Sequence, residues 1–357
     1  MRASNIEDIM KELGKCTLCK ICEENCSIFL ATGKYPPYKK LEVVRELIQK
    51  PKDRKPEDWE AVFLCTKCEA CDECCPEKIS LMNIIDFGRK LCVERWGIQY
   101  PRQRVIIENI QKYGNPFGNS ESRIGWLEEK FPKSNTLLHL GCMMSYPLRS
   151  MGKSIIRILR KLGVDFTISP DEKCCGYFVF NTGNHEAAQK IIAQNSEEFE
   201  QYNQIITLCC GCYTFLKEHY SLRTPIRHVI EIISEKLKEK DLKSTPIHQK
   251  IVFQDSCHIA RPHGIVEHPR ALIKKMGFEL AEFDLPLCCG ADGGMRIINP
   301  EVALEVGKMR LLEAQEKGDV LTTLCPFCIA HFRDTAEKLN INIQITSLFE
   351  LLEKLLP

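Results

Sequence analysis

Apolar residues recur at helical spacing in two early stretches of the chain. Residues 41–49 place Leu41, Val44, Leu47 and Ile48 on one face, and residues 79–96 repeat the pattern. Together they predict an all-α N-terminal module ending near Trp96. Past residue 135 the rhythm changes to short β-rich runs separated by amphipathic helices, and it does so twice. The run Thr136-Leu-Leu-His-Leu-Gly-Cys142 answers to Lys250-Ile-Val-Phe-Gln-Asp-Ser-Cys257. Each is followed by a helix (150–162 and 268–276), a short strand (164–168 and 278–283), a second helix (185–202 and 300–317) and a third β-rich run. The ends agree as well, Pro225-Ile-Arg-His-Val-Ile-Glu-Ile-Ile against Ile343-Gln-Ile-Thr-Ser-Leu-Phe-Glu-Leu-Leu. Strands alternating with helices imply parallel sheets with right-handed crossovers, and an internal repeat implies two copies of one unit.

Cysteines punctuate this pattern. Within the helical module, Cys16, Cys19, Cys22 and Cys26 form one C-x₂-C-x₂-C-x₃-C set, and Cys65, Cys68, Cys71 and Cys75 form another, closed by Pro76. Three thiolates two residues apart can wrap one face of a cubane cluster, and the remote fourth reaches the other cluster in two-cluster ferredoxins. The spacing therefore assigns Cys16, Cys19, Cys22 and Cys75 to one 4Fe-4S cubane, and Cys65, Cys68, Cys71 and Cys26 to the second. Cys74 rivals Cys75, but the x₃ gap and the following proline favour Cys75. Ser27 stands where a proline is usual. Zinc ribbons also use C-x₂-C pairs, yet triplets with a fourth cysteine, repeated, fit zinc poorly.

In the repeated part each copy carries five cysteines: Cys142, Cys174, Cys175, Cys209 and Cys212, then Cys257, Cys288, Cys289, Cys325 and Cys328. They fall where strands end and helices begin, the carboxyl edge at which open α/β sheets bind ligands and helix N-termini favour anions. Gly176 and Gly290 follow the adjacent pairs and permit a tight bend, and Gly293-Gly294 permits close backbone approach to a cluster. Five thiols exceed one four-ligand site, and adjacent cysteines suit neither a zinc tetrahedron nor an unstrained disulfide. Cys74, Cys92 and Cys210 are left over, Cys92 reading as a free core thiol.

Composition sharpens this reading without redirecting it. The 21 cysteines in 357 residues would fit a secreted disulfide scaffold only in a short chain with a signal peptide. The first ten residues have acids within their apolar pattern, and the longest nearly apolar stretch, 205–216, falls short of the roughly 20 residues of a membrane span. The expectation is a cytoplasmic protein, peripheral to a membrane only through a partner subunit. A net charge of +1 points to no polyanionic partner: no nucleic acid and no direct membrane contact. With no Walker motif and no G-x-G-x-x-G after a strand, electrons must arrive from another subunit.

At these residues the chain resembles the heterodisulfide reductase family, specifically its fused type represented by the D subunit. Residues 255–270, Leu287-Cys-Cys-Gly-Ala-Asp-Gly-Gly-Met295 and Leu324-Cys-Pro-Phe-Cys328 look like that family's second cysteine-rich CCG domain. The fold implied is α+β overall: an all-α two-cluster ferredoxin-like domain (1–97), a linker (98–134) and two duplicated α/β Rossmann-like CCG domains (135–240 and 241–357). The resemblance implies a noncubane 4Fe-4S cluster on each five-cysteine set, facing one another, where a coenzyme M–coenzyme B type heterodisulfide is split into two thiols as in methanogenesis. In that role the ten cysteines are the catalytic ligands, fed by two cubanes. The same architecture serves as the electron-transfer subunit of flavin-dependent glycerol-3-phosphate, lactate or glycolate dehydrogenases and of fumarate reductases, the alternative function. Many such subunits have lost cysteines from a set; this chain has lost none. A cytochrome b membrane subunit, hydrogenase, ferredoxin or flavoprotein is the implied redox partner.

Side chains beyond the ligands are open to two readings. His139, His258 and His263 lie near the cysteine loops, as hydrogen-bonding residues of the fold or as proton donors to a product thiolate. Arg261 and Arg296 suit an anionic substrate or simply the surface. Lys15, Lys20, Lys67 and Lys78 flank the first two sets as solvated charges or as a docking patch.

Overall fold

Helix Pro37–Gln49 begins a turn ahead of the apolar stretch 41–49, because Pro37 supplies the preset φ of a first helical position. Its buried Leu41, Val44 and Leu47 pack in one core with residues of helix Leu81–Trp96. Gly88 lies at that crossing, where a Cβ would come within 2.7 Å of a Val44 methyl. The second helix stops where Gly97 turns left-handed at φ +64°. Cys92 is completely buried in this core, where desolvation pushes its thiol up to about 12.

The computed structural model describes residues 5–52, 55–127, 131–238, 242 and 247–356. The chain folds into two units, each assembled from separated stretches. The first takes the chain up to Val105 together with Phe178–Ala188 and Leu285–Arg310; the second takes Ile106–Tyr177, Gln189–Asp284 and the chain from Leu311 onward. The boundary expected between 240 and 241 lies outside the described residues. Residues 98–134, read as a linker, hold helix Pro101–Tyr113.

In the first unit Arg89, on helix Leu81–Trp96, is completely buried. Its Nε donates to the Val62 carbonyl (3.2 Å), its Nη2 to Phe63 (3.1 Å) and Cys65 (2.7 Å), and its Nη1 to Asn181 and Gly293 (2.8 Å each). The guanidinium thus ties the loop before the second cysteine triplet to the two stretches that rejoin this unit. Glycine makes the approach possible. A Cβ on Gly183 would collide with the Arg89 carbonyl, and one on Gly293 with that of Cys65. Gly293, expected to bring backbone close to a cluster, here brings it close to the backbone of Cys65 and Thr66.

The second unit holds both sheets, all parallel. In one, β1 (Thr136–His139), β2 (Gln204–Thr207) and β3 (Ile226–His228) lie in the order β1-β2-β3. In the other, β4 (Ile247–Gln254), β5 (Phe278–Ala281), β6 (Val320–Thr323) and β7 (Gln344–Ser347) lie in the order β5-β4-β6-β7. The copies correspond as β1 to β4, β2 to β6 and β3 to β7. The strand expected at 164–168 is reduced to a single parallel bridge, Thr167 to Leu137, where the second copy has β5. The duplication reaches the caps. His228 and Glu231 close a capping box on helix Val229–Lys236, and Ser347 and Glu350 close one on helix Leu348–Leu355.

Candidate metal centres

In the first unit Cys16, Cys19, Cys22 and Cys75 line one cavity, and Cys26, Cys65, Cys68 and Cys71 line another. Cys71 also reaches the edge of the first cavity. The two triplet loops bend alike. Leu18 and Lys20 around Cys19 have φ of +57° and +64°, and Lys67 and Glu69 around Cys68 have +56° and +63°. A left-handed non-glycine residue costs about 1 kcal/mol or more. Four at matching positions give the two loops the same curled backbone on either side of the middle cysteine. One inward-turned amide, Lys67 N–H, stands 3.4 Å from Cys65 Sγ. Cysteine sulfurs arrayed around a cavity, with a backbone amide pointing at one of them, suit an anionic iron–sulfur cluster.

Buried cations stand near the second cavity. Lys40 is 1% exposed and lines it, drawing down the Cys26 thiol that burial otherwise raises. Lys67 corrects the docking-patch expectation. It is buried, its Nζ 2.5 Å from Asp86 and 2.6 Å from Asn181 Oδ1. Lys20 and Lys78 are exposed, and so is Lys15, paired with Glu12.

The second unit brings all five cysteines of the first repeat into one chain of sulfur contacts. Cys142 meets Cys174, Cys174 meets Cys175, Cys175 Sγ lies 3.4 Å from Cys212 Sγ, and Cys212 meets Cys209. Elements explain the gathering. Cys142 follows β1 in the short helix Gly141–Ser145, and Cys209 caps helix Cys210–His219 just beyond β2. Gly141, at φ +72°, keeps open the space beside Cys209 and Cys212, which a Cβ would reach at 3.4 Å. Hydrogen bonds shared within the chain lower the Cys175 thiol and raise that of Cys212. Four buried cysteines and the half-buried Cys142 make a soft-ligand set that selects iron–sulfur clusters over hard cations. Among the described residues no three His, Cys, Asp or Glu side chains converge as on a single ion.

In the second repeat Cys257 opens helix Cys257–Ala260 after β4, Cys325 caps helix Pro326–Leu339 after β6, and Cys328 lies in its first turn. These belong to the second unit. Cys288 and Cys289 belong to the first, where the Gly290 amide approaches Cys288 Sγ at 3.4 Å. Gly176 and Gly290 both take left-handed φ, +89° and +93°, as the sharp bend after each pair requires.

Several side chains near the cysteines were not legible as such. Arg123 Nη2 donates to Cys142 Sγ at 3.4 Å, and Glu172 accepts from the Leu140 and Gly141 amides. Leftover Cys210 touches Cys325 and lies 3.6 Å from His228 Nε2. Of the three histidines, His139 is buried 3.3 Å from Glu172, and burial lowers its pKa. His258 Nε2 lies 3.0 Å from Tyr177 Oη, and His263 packs edge-on against Tyr213. Arg261 and Arg296 are half-buried.

The same residues stand out in comparison with known proteins. Residues 12–79 match a 4Fe-4S dicluster domain, and residues 136–217 and 251–333 each match the cysteine-rich CCG domain. The chain thus carries one match to a 4Fe-4S dicluster domain followed by two matches to the cysteine-rich CCG domain. It is 27% identical to the B subunit of fumarate reductase (CoM/CoB) from Methanothermobacter marburgensis, over 96% of its own length and 72% of the relative's. It is 25% identical to the D subunit of dihydromethanophenazine:CoB–CoM heterodisulfide reductase from Methanosarcina acetivorans, over 97% and 95%. With EtfAB:quinone oxidoreductase of Syntrophomonas wolfei it shares 29% identity over 83% of this chain and 46% of that one. A crystal structure of a hypothetical protein from Helicobacter pylori shares this fold at a TM-score of 0.59 and 11% identity, over 98% of this chain and 75% of that one. Among the described residues no helix is long and apolar enough to cross a membrane.

Proposed function

We propose that the chain reduces a small-molecule disulfide at its two five-cysteine sites, with electrons delivered through the two four-cysteine sites. The observation that carries this reading is the unbroken sulfur chain from Cys142 to Cys209, in a protein whose second five-cysteine set is also complete. The reaction consumes two electrons and two protons: RS–SR′ becomes RSH and R′SH. Cubane clusters held by Cys16, Cys19, Cys22, Cys75 and by Cys26, Cys65, Cys68, Cys71 would supply one-electron transfer, and noncubane clusters held by the five-cysteine sets would supply a thiophilic metal at the disulfide. The protein's own groups hold the protons. Tyr177 follows Cys175-Gly176, His258 follows Cys257, and their side chains share a hydrogen bond that can keep a proton beside both sets. The substrate class is a heterodisulfide of the coenzyme M–coenzyme B type, by likeness to the heterodisulfide reductase relatives. A separate redox partner delivers the electrons, and the protein works in the cytoplasm, at a membrane only through that partner.

The test is an anaerobic assay of the iron-loaded protein with a reduced dye and the heterodisulfide, paired with paramagnetic resonance after adding each thiol to the oxidised protein. Thiol formation and a new signal with one thiol support the proposal; neither would sink it. A second reading is favoured by likeness to the fumarate reductase and EtfAB:quinone oxidoreductase sequences: an electron-transfer subunit with no substrate of its own. Copurification with a flavoprotein and inertness toward every disulfide tried would select it.

A further inference from the structure

Arg123 lies in a stretch with no cysteines, yet its guanidinium is buried against the first five-cysteine site. Nη2 reaches Cys142 Sγ at 3.4 Å and Glu172 Oε1 at 3.2 Å; Nη1 donates to the Glu172 carbonyl at 2.6 Å and Nε to Ser145 Oγ at 3.3 Å. Glu172 in turn accepts from the Leu140 amide at 2.8 Å and the Gly141 amide at 2.9 Å, directly before Cys142. Arg123 and Glu172 are 6% and 4% exposed, and Ser145 and His139 are completely buried. A buried ion pair is weak as a source of stability, since desolvation offsets much of its attraction. This one has geometry beyond pairing. The carboxylate is shared with two backbone amides, which leaves part of the guanidinium's charge for the sulfur.

We propose that Arg123, held by Glu172, is a positioning residue that raises the reduction potential of the iron–sulfur centre bound through Cys142. The inference rests on the reading that the first five-cysteine set holds iron; it does not depend on the disulfide substrate. Reduction adds negative charge to a centre, and a charge-assisted hydrogen bond to a ligand sulfur stabilises that charge. In the second copy Pro286 stands two residues before the cysteine pair, where Glu172 stands in the first, so a carboxylate at that position is particular to the first copy.

The experiment is a redox titration of the iron-loaded, full-length protein, followed by paramagnetic resonance, in Arg123→Met, Arg123→Lys and Glu172→Gln. The signal belonging to the first site is the one that Cys142→Ala abolishes. The charge-assisted hydrogen bond favours the reduced centre over the oxidised one, so Arg123→Met lowers the reduced-to-oxidised ratio of that signal at fixed potential several-fold. Arg123→Lys restores part of the shift. Glu172→Gln moves the potential the opposite way, because it deletes a negative charge, whereas loosening of the loops alone would disturb both variants in one direction. If Arg123→Met fails to hold iron, the opposite signs are read between Arg123→Lys and Glu172→Gln. Full iron content with unchanged potentials, or shifts of like sign, would overturn the proposal. A Cys142→Ala protein with every signal intact would instead remove the iron at the first site on which it rests.

Discussion

Arg89 donates to five backbone carbonyls drawn from three separated stretches of chain. Replacing it with Met leaves those oxygens buried without their donors, each at about 1–3 kcal/mol before relaxation. We expect Arg89→Met to lower the urea midpoint of the iron-loaded protein by more than any other single change in helix Leu81–Trp96, with Arg89→Lys recovering only part, since an ammonium cannot span the same fan of acceptors. Histidines set an acid limit. Burial lowers His185 to about 4 and His228 to about 3. Both are neutral in the folded protein, while in the unfolded chain they protonate near 6.5. As pH falls below about 6.5 the unfolded state binds the extra protons, so stability declines by about 1.4 kcal/mol per pH unit per histidine until the folded values are reached. His185→Gln should therefore flatten the pH dependence of the urea midpoint between pH 6.5 and 5, and an unchanged slope would refute this. Arg89, Lys40 and Lys67 were invisible as interior charges in the sequence. A charged residue on an amphipathic helix or in a cysteine loop reads as solvated until its acceptors arrive from residues such as Asn181 and Gly293.

Turns and caps carry the next scale. Gly293 has no room for a Cβ, because the backbone of Cys65 and Thr66 occupies the space, whereas Gly163 has a left-handed φ of +67° and nothing within 4 Å. Gly163→Ala should cost only the conformational penalty of about 1 kcal/mol. Gly293→Ala should displace the loop of Cys65 and lower the iron content, read by iron and sulfide analysis beside the melting curve. Ser347→Ala removes a side-chain cap from the Phe349 amide, 3.2 Å away, and should cost about 1 kcal/mol in thermal unfolding. At this scale the sequence was most legible. Strands running into cysteines, the helices between them and the matching ends all reported the duplication, because each element's period survives in its own residues. What escaped was whatever depends on the neighbouring copy or on distant chain. The run 164–168 has a strand's composition but finds only one bridge, and residues 98–134 look like a linker although they deliver Arg123 to Cys142.

For the whole molecule, iron is expected to act as a structural component. Removing it anaerobically would leave six thiols, those of Cys65 and Cys71 buried, in the two triplet loops with their left-handed residues. The melting transition should then move down and broaden, and recover on reconstitution with iron and sulfide. The organisation read from sequence places the ferredoxin-like module and the two repeats in succession. In space the first unit also contains the stretch that follows the first Cys-Cys-Gly motif and the stretch that carries the second, a relation that no local pattern encodes.

This interleaving bears on how such a chain can change over generations. The carbonyls that satisfy Arg89 are supplied from positions 62, 63, 65, 181 and 293, so an exchange of the first 105 codons with those of a relative parts the arginine from two of its acceptors. The ferredoxin-like portion is therefore not a cassette that recombination can trade freely. A hybrid gene made that way should yield poorly soluble protein, and restoring 178–188 and 285–310 from the same donor should rescue it. These scattered segments travel together or not at all.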